Sequence, residues 1–151
     1  TGQPPSDNPY SGPDSLGSIW SYGHRNPQGA ALDAEGQLWV LEHGPRGGDE
    51  LNRIEPGANY GWPVISYGIN YNGTDVGAGI AVADGMAQPV YYWDPVIAPG
   101  GMNFYDGDRF DWDGDLLIGG LVANGVVRLQ IEDDGALRTA LTRVLETSPR
   151  T

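Results

Sequence analysis

The sequence contains no cysteine, and its eight basic residues are all arginine. Without cysteine there is no disulfide framework, no thiolate metal site and no cysteine nucleophile, and the compartment stays open. The arginines never form a run and face 20 acidic residues, a formal charge of −12 that would be repelled by a phosphate backbone, so nucleic acid is excluded as a partner. No apolar stretch approaches the ~18 residues that cross a bilayer, and no basic segment followed by an apolar one opens the chain. A membrane span is therefore not expected. An acidic surface most often serves solubility, and calcium binding is the sharper alternative.

What is abundant is glycine (24) and proline (12), together with five tryptophans and 39% hydrophobic residues. Disordered chains lack that much aromatic surface. Turn formers mixed with aromatics point to short strands joined by shaped loops, an all-β chain of 151 residues in one domain.

Residues 1–17 have neither a period of two nor one near 3.6 and read as loop. A first meander over 18–58 holds Gly29-Ala30-Ala31-Leu32, a tight turn at Asp33-Ala34-Glu35-Gly36, a strand over Gln37–Leu41 and a third over Glu50–Ile54. A second meander over 99–151 holds Met102–Tyr105, a turn through Asp113-Gly114, Asp115–Gly119 and Val126–Ile131. The turn Asp133-Asp134-Gly135 then leads to a last strand ending at Val144-Leu145. Two meanders of about 40 to 50 residues are what a β-propeller predicts. Between them, 59–98 reads as a long insertion rich in Tyr and Gly whose aromatic rings favour an ordered wall. The chain opens on Thr1 and stops at Ser148-Pro149-Arg150-Thr151, so a partial or processed product is expected.

Three segments carry side chains suited to chemistry. Gly23-His24-Arg25-Asn26-Pro27-Gln28-Gly29 enters a strand with a guanidinium fork and two amides, suited to a carboxylate or quinone oxygen or, equally, to tying down its own backbone. Glu42-His43-Gly44-Pro45-Arg46-Gly47-Gly48-Asp49-Glu50 combines three carboxylates with glycines that let carbonyls turn inward, which favours a hard cation over zinc; a plain acidic turn is the alternative. Asn59-Tyr60-Gly61-Trp62-Pro63 and Tyr91-Tyr92-Trp93 offer flat faces for a planar cofactor or a sugar, or for core packing. Asp106-Gly107-Asp108 and Asp111-Trp112-Asp113 read as turns before they read as a calcium site or a carboxylate pair.

These segments, in this order and with Asp49-Glu50-Leu51-Asn52 and Ile97-Ala98-Pro99, resemble the soluble glucose and aldose sugar dehydrogenases that depend on pyrroloquinoline quinone (PQQ) and calcium. The resemblance runs from about Pro9 to the end and covers less than half of the family's six-bladed propeller, so an incomplete arc of two blades plus parts of neighbours is expected. It implies that Arg25 and Asn26 contact the quinone with Gln28 nearby, and that the Gly44 and Pro45 carbonyls hold the cofactor's calcium. Glu50 and Tyr60 match ligands of a second, structural calcium. Tyr71, Tyr92 and Trp93 match the cofactor pocket, and Gly120 and Leu121 a later contact, where several relatives have lysine and this chain has Val122.

The activity so implied is oxidation of an aldose at C1 to the lactone. Arg25 would stabilise charge on the reduced quinone, and a general-base histidine would lie in an earlier blade, since neither His24 nor His43 matches its motif. The implied partners are an aldose and an external electron acceptor; homodimer formation stays open. Periplasmic or secreted placement follows from the family alone. The isolated chain is expected to be inactive, because an open arc lacks the far wall of the site and the base. A calcium-stabilised, non-catalytic propeller that binds carbohydrate or protein is the competing reading, and a glycoside hydrolase would need a carboxylate pair that is not evident.

Overall fold

The computed structural model describes residues 3–14, 16–131 and, as backbone strand, 137–140. It contains two antiparallel four-stranded sheets, and no helix is present among the described residues. The first sheet runs in chain order through β1 (Pro27–Leu32), β2 (Leu38–Glu42), β3 (Asp49–Arg53) and β4 (Tyr91–Trp93). The second runs through β5 (Pro99–Phe104), β6 (Leu116–Gly120), β7 (Gly125–Ile131) and β8 (Leu137–Ala140). The turn at Asp133-Asp134-Gly135 and the strand end at Val144-Leu145 lie outside the described residues.

Local chemistry explains the hairpins. Gly36 takes φ 80°, open to glycine at no steric cost, and its N–H donates to the Asp33 carbonyl at 3.0 Å. The Asp33 carboxylate accepts from the Glu35 and Gln37 amides and from the Trp39 indole at 2.8 Å, tying the turn to the strand it starts. The two sheets repeat a device at their first strands: β1 opens Pro27-Gln28-Gly29 and β5 opens Pro99-Gly100-Gly101, each with a register shift after the proline. Proline gives no ladder hydrogen bond, so both strands begin at a bulge.

Alternating residues of β2, β6 and β7 bury one face of those strands. Trp39, Leu41, Leu51, Trp93 and Ile97 from the first half pack with Leu116, Ile118, Val127 and Leu129 from the second in one buried cluster. The sheets approach most closely along β1 and β5, where a Cβ on Gly29 would lie 3.2 Å from Gly101 Cα.

One boundary differs from the sequence expectation. Tyr91–Trp93, placed within the insertion, forms β4 and pairs with Asp49–Leu51. Three residues are too few to show alternation, and the pairing is driven by Trp93, 5% exposed, entering the core. The segment before β4 is tied down by bridges between Tyr22 and Asn59, Arg46 and Ile69, and Ile65 and Ile80, and it buries Tyr60, Ile65 and Val76.

Between the sheets sits a buried carboxylate. Asp49, 1% exposed, accepts from the Gly44 amide at 2.9 Å with one oxygen, and from the Ile97 and Ala98 amides at 2.9 and 2.8 Å with the other. It joins the β2–β3 loop to the segment that leads into β5.

Candidate functional site

The site is built where the entrance to β1, the β2–β3 loop and the 59–66 segment converge. A cavity of about 20 Å³, enough for one water or ion, is lined by Arg25, Glu42, Gly44, Pro45, Glu50, Tyr60 and Trp62 among others. Arg25, Gly44, Pro45, Glu50 and Tyr60 thus line one concave site.

Arg25 is contacted at both ends. Its amide donates to Glu42 Oε2 at 2.9 Å, its Nη1 donates to the His43 carbonyl at 3.0 Å, and its guanidinium lies over the Trp62 ring at 5.2 Å. Its Nε is buried without a partner among the described residues. A guanidinium N–H left unbonded is a donor available to a ligand.

Gly44 starts the loop with a close approach: a Cβ there would collide with the Gly47 and Gly48 carbonyl oxygens. Gly47 and Gly48 take φ 87° and 71°, in the left-handed region that favours glycine. Among the described residues no hydrogen bond is donated to the Gly44, Pro45 or Tyr60 carbonyl. Buried carbonyls without donors suit a hard cation, which takes oxygens of this kind.

Glu50 faces Glu42 directly across β2 and β3. Among the described residues its one side-chain partner is the Asn52 side-chain amide at 3.4 Å. Burial raises its pKa to about 7, opposed by the Asn52 hydrogen bond and reinforced by the Glu42 and Asp49 charges. A half-buried carboxylate so weakly compensated, beside free carbonyls and an ion-sized cavity, fits calcium. Tyr60 would contribute through its carbonyl, since its hydroxyl donates to the Arg53 carbonyl at 2.6 Å and accepts from the Glu55 amide at 2.9 Å.

The remaining sequence candidates are spread out. Tyr92 stacks on Tyr67 with ring centroids 3.9 Å apart, and both line a second, open cavity of about 780 Å³ with Trp93, Pro95 and Val122. Trp93 keeps its indole N–H buried and without a partner among the described residues. Asn26 and Gln28 are exposed and hydrogen-bond to each other at 2.8 Å. Tyr71 and Leu121, 75% and 84% exposed, line neither cavity. Gly120 is buried against Ile97 and Ala123.

Three residues that carry the site's geometry, Glu42, Asp49 and Trp62, were read from the sequence only as members of their segments, without individual roles. The signal for the first was its position opposite Glu50 across a short loop, which places two carboxylates side by side once the hairpin is drawn. His24 bonds through Nδ1 to Glu42 Oε1 at 2.6 Å and through Nε2 to Ser21 Oγ at 2.8 Å, so both ring nitrogens are engaged.

Comparison with known proteins covers nearly the whole chain. The sequence model described as glucose / sorbosone dehydrogenase matches residues 1–150. The aldose sugar dehydrogenase YliI of Escherichia coli is 46% identical over 140 residues, 88% of this chain and 37% of that protein. The quinoprotein glucose dehydrogenase B of Acinetobacter calcoaceticus is 46% identical over 66 residues, 43% of this chain and 13% of that protein. Among solved structures, the apo-form of the soluble aldose sugar dehydrogenase of E. coli superposes with a TM-score of 0.86 at 41% identity, covering 93% of this chain and 41% of that one. The PQQ-bound aldose sugar dehydrogenase of Streptomyces coelicolor gives 0.67 at 31% identity, covering 93% and 36%. The chain spans about a third of the length of the curated relatives that it matches over most of its own length.

Proposed function

The chain belongs to the glucose / sorbosone dehydrogenase family, and from that premise we propose that it forms the cofactor-binding part of a PQQ- and calcium-dependent aldose dehydrogenase. The observation that carries this reading is one cavity lined by Arg25, whose Nε has no partner among the described residues, by Gly44 and Pro45, whose carbonyls receive no hydrogen bond there, and by the weakly compensated Glu50. A purely structural loop has no use for that combination. In this reading the two sheets are two blades of a six-bladed propeller and 59–90 is a wall of the site, with β4 assigned to the first blade.

Gly44 and Pro45 would hold the cofactor's calcium, and Glu50 with the Tyr60 carbonyl a second ion. When bound, PQQ with calcium supplies a hydride acceptor for C1 of the sugar, giving the lactone. Arg25, braced by the His43 carbonyl and the Trp62 face, would offer a donor to the cofactor's oxygens. Tyr92 and Trp93 would add flat surface from the second cavity, and Asn26, Gln28, Tyr71, Gly120 and Leu121 remain outer contacts. His24 and His43 are not proposed as the base; His43 Nε2 is engaged by the Pro99 carbonyl at 2.6 Å. The reaction also calls for an electron acceptor, and the family reading favours a periplasmic setting.

The test is PQQ titration, in calcium, of a full-length parent protein that carries this chain, then absorbance on adding glucose and other aldoses. Reduction of the bound quinone is expected. Calcium binding without PQQ binding would favour the non-catalytic alternative and refute this one.

A further inference from the structure

Glu42 ends β2 at 3% exposure, and its two oxygens take three donors. Oε1 accepts from His24 Nδ1 at 2.6 Å and Asn52 Nδ2 at 3.0 Å; Oε2 accepts from the Arg25 amide at 2.9 Å. These bonds hold the backbone of residues 24 and 25, from which the Arg25 side chain leaves.

Ser21, His24 and Glu42 are linked in the order of a hydrolytic relay, with steps of 2.8 and 2.6 Å. Neither Ser21 nor His24 lines either cavity, and the Tyr60 ring stacks on the imidazole at 4.6 Å. The chain of bonds therefore leads to Arg25, which does line a cavity, and not to an open nucleophile.

We propose that Glu42 is a positioning residue which, together with His24, fixes the direction of the Arg25 guanidinium and thereby sets the affinity of the site for an anionic planar cofactor. The proposal rests on the assignment of Arg25 to PQQ made above. Arginine is long and flexible, so a small rotation at its Cα is amplified at the guanidinium. The contacts at the far end, one bond to the His43 carbonyl and one ring face, leave Nε unbonded and do not fix its direction alone. Only a carboxylate accepts at both oxygens; glutamine would turn an NH₂ donor toward either the Arg25 amide or the His24 and Asn52 donors. Misplacement of a positioned group by about 1 Å can cost on the order of 100-fold.

The experiment is a double-mutant cycle on the PQQ dissociation constant of the calcium-loaded protein, read by equilibrium titration, with thermal melting in parallel. Glu42→Gln should raise Kd by about 10-fold or more, and Arg25→Lys should raise it too. In the Arg25→Lys background Glu42→Gln should add little, because coupled residues are not additive. Should Glu42→Gln fail to fold, Glu42→Asp keeps charge and both acceptors while shortening the reach, and its loss of affinity should vanish in the same background. A purely structural Glu42 would lower the melting temperature and leave Kd at the wild-type value, which overturns the proposal. Multiplicative effects of the two substitutions also overturn it while leaving Arg25 as a cofactor contact. An unchanged Kd in Arg25→Lys alone refutes the functional reading itself, and the proposal with it.

Discussion

Asp49→Asn changes one atom of the carboxylate that joins the two sheets. Asp49 is 1% exposed and receives three backbone N–H groups, at 2.8 to 2.9 Å. The amide of asparagine can keep its oxygen toward Ile97 and Ala98, but its NH₂ then meets the Gly44 N–H, donor against donor. One buried amide loses its acceptor, at about 1–3 kcal/mol, and the two surviving bonds lose their charge assistance. Relief of the buried charge offsets part of this. The net expectation is a loss of about 2–4 kcal/mol, which for a chain of 150–250 residues lowers Tm by roughly 4–16 °C. Asp49→Ala orphans all three donors, about 3–9 kcal/mol against a typical total of 5–15, and should leave little folded protein. Thermal melting gives the total, and hydrogen exchange at the Gly44, Ile97 and Ala98 amides gives the location. If Asp49→Asn melts with wild type and those amides keep their protection, charge relief has outweighed hydrogen bonding and the clamp does not hold the sheets.

Glu50 predicts a pH dependence. Its folded pKa of about 7 lies above the ordinary 4.5, so between those values the folded chain keeps a proton that the unfolded chain releases. Stability without metal should therefore fall as pH rises from 4.5 to 7, by up to about 3 kcal/mol at about 1.4 kcal/mol per unit. Glu50→Gln should flatten that slope and be more stable than wild type at pH 8 in chelator, with the order reversed in calcium; an unchanged order in both buffers refutes the assignment. Gly44→Ala forces a Cβ into two carbonyl oxygens, and should cost on the order of 2 kcal/mol and abolish calcium-dependent stabilisation in a melt with and without chelator. Val122→Lys, at a position 61% exposed beside the open cavity, should tighten PQQ binding by about 2- to 5-fold, the range of an exposed ion pair, and a looser complex by titration would refute that geometry.

Much of the fold was legible because the strands bury one face. Trp39, Ile118, Val127 and Leu129 alternate with exposed or half-buried neighbours, and Asp33–Gly36 and Asp113–Gly114 are turns by their own chemistry. β4 was not, since three residues inside a Tyr- and Gly-rich segment carry no period, and only the ladder to Asp49–Leu51 makes them a strand. For the site, Arg25, Gly44, Pro45, Glu50 and Tyr60 fall together in space as their motifs suggested, whereas Tyr71 and Leu121 point to no shared cavity.

The residues that hold the site in place were hidden for a different reason. Glu42, Asp49 and Glu50 look alike as letters in an acidic loop, yet the hairpin gives each a separate task. Glu42 collects His24, Asn52 and the Arg25 amide; Asp49 collects three backbone amides across the sheets; Glu50 faces the cavity with one long hydrogen bond. Their difference lies in how many donors each receives, and donors come from residues as far as 49 positions away. Two of the three carboxylates are thus compensated by protein N–H groups, and the third is left for something the chain does not supply. That imbalance, more than the number of acidic residues, is what makes this loop a candidate cation site.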